Sequence, residues 1–126
     1  MSEPDERHFP GRAPIEAYGA GGFRFADMSH RGSILALPSG IWAWPPKSAA
    51  EIDEASLARV FAERTEIDIF LIGCGRDPVL LPAPLREHLR GAGISFDVLP
   101  THAAASTYSV LLAEGRRVAA ALIAVD

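Results

Sequence analysis

The residues best suited by type and spacing to chemistry are Gly73, Cys74, Gly75, Arg76 and Asp77, which end the apolar run IDIFLI, and Thr101 with His102, which follow ISFDVLP. A cysteine becomes a nucleophile when a nearby base or helix N-terminus favours its thiolate, and His102 is the histidine whose expected position could serve. Arg76 and the free N–H groups of a helix starting near Thr101 would suit an anion. Gly73, Gly75, Arg76, Asp77, Thr101 and His102 are therefore the candidate ligand-binding set, with Thr107 a more distant candidate. A plainer account competes for each residue. Cys74 can be a small buried filler, the glycines can serve a sharp swerve of the backbone, and Arg76 and Asp77 can anchor the loop on nearby backbone groups.

Other chemistries lack their residues. His8, His30, His88 and His102 fall in a tail, a turn, a helix surface and a helix start, without pairs at metal-ligand spacing, and one cysteine makes neither a disulfide nor a multi-cysteine zinc site. No glycine-rich stretch leads into Lys-Ser or Lys-Thr, and the serine of ALPSG lacks the Gly-x-Ser-x-Gly setting of a hydrolase nucleophile. The GAGG stretch precedes residues that alternate with period two rather than a helix, which reads as a hairpin turn and not a dinucleotide loop. No catalytic residue, metal or cofactor is assigned. With 12 basic and 16 acidic side chains the net charge is −4, so the chain offers no broad basic surface to nucleic acid. Eleven of the twelve basic residues are arginine, which suits carboxylate or phosphate recognition but also follows from coding bias beside so much alanine.

The elements that must position these residues belong to one domain, because 126 residues at 48 % hydrophobic content suffice for a single core. Residues 1–14 read as a polar, poorly ordered tail, and residues 15–126 as the α/β domain. The longest apolar run, Val118 to Val125, is too short to cross a bilayer as a helix, and the opening has acid and proline where a signal peptide needs apolar residues. The expected location is cytoplasmic.

IEAY and FRFADM predict a β-hairpin, GSILALPSG a further strand, and IWAWPP an extended path ended by two prolines. Trp42 and Trp44 then share one face, either packed between layers or offered as an aromatic anchor to a partner. DEASLARVFAERT predicts an amphipathic helix with Asp53 accepting N–H bonds at its start. A buried strand IDIFLIG follows, then a helix over Pro82–Arg90 ended by Gly91 and Gly93, and the strand ISFDVL. A helix capped by Thr101 and stopped by Gly115 leads to the last strand, RVAAALIAV. The second half thus reads βαβαβ, with parallel strands joined by right-handed crossovers. The fold class expected is α/β: a single three-layer (β/β/α-type) domain with a mixed sheet, N-terminal antiparallel strands preceding the βαβαβ half. Loops at the carboxyl ends of parallel strands meet on one rim, so GCGRD and LPTH would ring a small cleft.

The order of IEAYGAGGFRF, GSILALPSGIWAWP, IDIFLIGCGRD and ISFDVLPTHAAASTYSVLLAEGRRVAAALIAV resembles a family of small domains of unknown function. That family includes the mitochondrial respiratory complex I assembly factor three, the adipogenesis-associated human protein and many bacterial proteins. The resemblance spans Ile15 to Val125 and rests on the combination of segments. Its motifs fall at Pro38, Ser39 and Gly40, at Gly73, Gly75 and Arg76, at Thr107 and Tyr108, and at Glu114, Gly115 and Arg116. Threonine is common in the family where this chain has Cys74. The resemblance implies a compact layered β/α domain and a non-catalytic role in assembling a respiratory complex, with an assembly factor or complex subunit as partner. A small-molecule or anion-binding role for the Gly73–Asp77 loop, enzymatic or not, is the alternative. Exposed edge strands leave a homodimer open.

Overall fold

A computed structural model describes residues 7–126, in which nine strands and three α-helices form three layers. The central layer is a six-stranded mixed sheet in the order β1-β6-β5-β9-β7-β8, made of β1 (Arg7–Phe9), β5 (Ser33–Leu37), β6 (Gly40–Trp44), β7 (Ile69–Gly73), β8 (Phe96–Leu99) and β9 (Val118–Leu122). β9 pairs parallel with β7 and antiparallel with β5, so the two halves of the chain join along it. A second, antiparallel sheet holds β2 (Ile15–Gly19), β3 (Gly22–Phe25) and β4 (Met28–Arg31). The helices are α1 (Ala58–Ala62), α2 (Ala83–Gly91) and α3 (Thr101–Ala113).

Strand alternation divides the apolar side chains between two cores. On one face Leu35, Trp42, Trp44, Phe70, Ile72 and Ala119 meet Val60 of α1 and Leu85 and Leu89 of α2. On the other, Ile34, Ile41, Leu71, Ala120 and Leu122 meet Phe23 and Phe25 of the small sheet and Ala104, Ala105 and Tyr108 of α3. The βαβαβ half therefore puts α2 and α3 on opposite faces, and the first-half strands both extend the main sheet and pack on it. The expected fold class is the observed one.

Three local expectations are corrected. Arg7–Phe9, placed in the disordered tail, pairs with β6, and Ala13 is buried, because the outer edge of β6 is covered by this segment; residues 1–6 of that tail lie outside the described residues. The helix expected from Asp53 narrows to Ala58–Ala62. Asp53 Oδ1 does accept the Ser56 N–H at 2.8 Å, but Ser56 Oγ in turn takes the Asp53 N–H and donates to the Asp53 carbonyl, closing a local turn. A strand over Met28–Arg31 was not anticipated. It follows a tight turn in which Ala26 and Asp27 both take positive φ, a conformation common enough for aspartate but not announced by alanine.

β1 and β4 meet through the rings of His8 and His30, 4.2 Å apart. Burial, then the neighbouring charge of His8, holds His30 below the usual histidine range, with a backbone hydrogen bond at Ser33 acting in the opposite sense. The unfolded chain then binds more protons than the folded one as pH falls through the unperturbed value of 6.5. Stability from His30 is full above that pH and is lost below it, with a slope of at most about 1.4 kcal/mol per pH unit. Urea unfolding across this range is expected to show the loss in the native chain and a flatter profile in His30→Gln.

Candidate functional site

The carboxyl ends of β7, β8 and β9 are laced together by backbone and hydroxyl. Cys74 N–H donates to the Leu99 carbonyl at 2.8 Å, Thr101 N–H to the Gly75 carbonyl at 2.8 Å, and Ile123 N–H to the Gly73 carbonyl at 2.9 Å. Thr101 Oγ1 accepts the Gly75 N–H at 3.0 Å and donates to the Ile123 carbonyl at 2.7 Å. One fully buried hydroxyl thus ties three chain segments. The expected helix cap at Thr101 is corrected accordingly: its oxygen faces the neighbouring loops, whose backbone groups would otherwise be buried unpaired.

The glycines answer to close approach. A Cβ on Gly73 would stand 2.9 Å from Leu122 Cδ2 and 3.1 Å from Thr101 Cα, and Gly75 has φ +108°. Cys74 is buried, and its thiol donates to the Asp77 carbonyl at 3.2 Å. Gly73, Gly75 and Thr101 therefore come together as expected, but with backbone in contact with side chain where the cleft was anticipated.

Arg76, Asp77 and His102 remain exposed on the rim. A shallow depression of about 180 Å³ lies between Arg76, His102, Tyr18 and Asp126, and a broader one of about 550 Å³ on the other side is lined by Lys47, Arg76, Asp77 and Asp126 among others. No hydrogen bond joins Cys74 to His102 among the described residues. No group of three or more histidine, cysteine, aspartate or glutamate side chains could hold a metal ion among the described residues.

Trp42 and Trp44 share one face, as alternation requires, and that face is interior: Trp44 is 4 % exposed and Trp42 9 %. Trp44 Nε1 donates to the Ser56 carbonyl at 2.7 Å and Trp42 Nε1 to Ser39 Oγ at 3.0 Å. The Arg59 guanidinium stacks 3.5 Å from the centre of the Trp42 ring. These indoles are packing groups with satisfied N–H donors, so the partner-anchor role considered for them has no exposed ring to use. Glu63 went unnoticed in the sequence. Its carboxylate accepts from both the backbone N–H and the hydroxyl of Ser39, at 2.9 and 2.6 Å, and so holds the Pro38-Ser39 turn from 24 residues away.

Replacing Thr101 by valine keeps the shape and strands the Gly75 N–H and the Ile123 carbonyl, at an expected cost of about 2–4 kcal/mol. Thr101→Ser, which retains the hydroxyl, should lose markedly less in the same urea titration; equal losses would refute the hydroxyl bridge.

Comparison with known proteins places this geometry. An uncharacterised protein of Rhodobacter capsulatus is 38 % identical over 95 % of this chain and 91 % of its own length. The NADH dehydrogenase [ubiquinone] 1 alpha subcomplex assembly factor 3 of Drosophila melanogaster is 33 % identical over 86 % of this chain, which spans only 57 % of that protein. A crystal structure from Bartonella henselae, described as an outer membrane protein, superposes with a TM-score of 0.91 at 51 % identity, over 94 % of this chain and all of the other. The family model for proteins of unknown function DUF498/DUF598 matches residues 15–123, and the chain belongs to that family.

Proposed function

We propose that this chain is a non-catalytic accessory protein that binds other proteins during assembly of a respiratory NADH dehydrogenase. The observation that carries the reading is the 33 % identity to an assembly factor of that enzyme across 86 % of the chain. The rim supports it. The Cys74 thiol, the group weighed as a nucleophile, and the Thr101 hydroxyl are both buried and engaged with backbone carbonyls. A partner would be an assembly factor or a subunit of the complex, and the cytoplasm is the proposed setting. Among the described residues no helix is long and apolar enough to cross a membrane.

Cells lacking the chain are expected to hold severalfold less assembled NADH dehydrogenase on native gels, with a matching fall in NADH oxidation by their membranes. Re-expression should restore both. An unchanged level of assembled enzyme would overturn the reading.

A small-anion site at Arg76, His102 and the surrounding loop is the second reading, favoured by a guanidinium that has no carboxylate partner among the described residues. Against it, Asp77 and Asp126 line the broader depression together with Arg76 and Lys47, so two carboxylates offset the two cations and leave no net positive charge to hold an anion. Inorganic phosphate is therefore expected to leave Tm unchanged. A phosphate-dependent rise in Tm that Arg76→Ala abolishes would reinstate the rim as a ligand site.

A further inference from the structure

We propose that the free edge of β8 docks an extended segment of a partner protein, which adds as a seventh strand and carries apolar side chains beside a carboxylate. This inference rests on the protein-binding reading above and names the surface that reading leaves open.

β8 ends the six-stranded sheet, so among the described residues one side of its backbone has no neighbouring strand. Phe70 N–H donates to the Ser95 carbonyl at 2.9 Å and Cys74 N–H to the Leu99 carbonyl at 2.8 Å. In a strand the N–H and C=O of one residue point the same way and alternate along the chain. Ser95, Asp97 and Leu99 therefore face β7, while Phe96 and Val98 turn their backbone groups outward. Among the described residues nothing hydrogen-bonds those outward groups. Such an edge is a template for another strand unless something covers it.

A groove of about 490 Å³ runs beside this edge, bounded by Val79, Leu80, Phe96 and Val98, with Arg86 and Arg90 outnumbering the one carboxylate, Asp97, in its lining. Leu80 is 77 % exposed, the most of any large apolar side chain among the described residues, and its neighbour Val79 is 42 % exposed. Open backbone donors and acceptors next to exposed apolar side chains are what strand addition uses: the ladder supplies affinity and the groove reads alternate side chains. Charge narrows the occupant further. Arg86 Nε donates to the Leu81 carbonyl and Arg90 stands 5.9 Å from the Phe96 ring, yet neither has a carboxylate at ion-pair distance among the described residues. Two guanidinium groups left beside an apolar groove suit an acidic residue in the incoming strand.

A second copy of this chain fits the edge poorly. A two-fold axis through Asp97 sets two carboxylates directly opposite each other in a close, non-hydrogen-bonded pair. An axis through Val98 sets Phe96 opposite Pro100, which has no N–H to give. Both registers are penalised, whereas a different sequence escapes both penalties.

The test uses the full chain and a fluorescein-labelled peptide of about six residues, a common strand length. The peptide alternates valine with threonine and ends in glutamate, and it is read by fluorescence anisotropy and amide hydrogen exchange. Saturable binding that slows exchange at Phe96 and Val98 is expected. N-methylating the peptide amides that face the edge should weaken binding at least about tenfold. Exchanging the glutamate for lysine, or introducing Arg86→Glu with Arg90→Glu, should weaken it about threefold. No saturable binding, protection elsewhere, or equal binding of the N-methylated peptide would overturn the proposal. So would sedimentation showing a dimer in which these two amides are already protected. If dehydrogenase assembly fails without the chain while the edge binds no peptide, the accessory role stands and the edge is refuted; an occupied edge with normal assembly refutes the accessory role and keeps the edge.

Discussion

Everything in this molecule depends on β9 bonding to two unlike neighbours, β7 in parallel and β5 in antiparallel. The last strand of the chain thereby closes the contact between an N-terminal half made of hairpins and a C-terminal half made of crossovers. Its residues are Val118, three alanines and Leu122, all buried on both faces of the sheet. Small side chains there let layers on the two sides approach closely, and the larger groups that fill the cores come from β5, β6 and β7.

The same strand explains the rim. Because β9 ends between β5 and β7, the backbone at Ile123 must find partners where the sheet stops, and it finds Gly73 and the Thr101 hydroxyl. A rim in which strand ends are bonded to each other resists opening, and the close contacts at Gly73 show how little space remains. What looked like a place for a ligand is chiefly a joint, and the exposed groups Arg76, Asp77 and His102 sit outside it. Tyr108 belongs to the same layer: burial pushes its phenol up to about 12, so it stays neutral and packs as an aromatic in the α3 face of the core.

Recognition then shifts from the rim to the margin of the sheet. An edge strand exposes a row of polar backbone groups. In β8 the strand is short, carries Asp97 and is followed by Pro100, features that limit indiscriminate pairing while leaving Phe96 and Val98 open. The β8 groove combines directional backbone groups with exposed apolar side chains.

The sequence by itself determined the order and type of most elements, because period-two and helical spacing, with glycine and proline as punctuation, report local backbone preference. The βαβαβ half and the paired faces of Trp42 and Trp44 were legible in this way, while the family was legible only as a resemblance in the order and combination of segments. The strand at Met28–Arg31 and the pairing of Arg7–Phe9 were not, since each depends on a neighbour that is distant in the chain or on turn residues with unusual φ. Only the tertiary structure decided which candidate residues are exposed and which are engaged. Thr101 reads as a helix cap and ligand contact and Cys74 as a possible nucleophile in one dimension, and both are engaged by Ile123, Gly75 and Asp77 in three. Val79 and Leu80 are apolar by type yet exposed in the structure. Residue type announces what a group can do, but burial and hydrogen bonding settle whether it is free to do it, and both are properties of the packed chain.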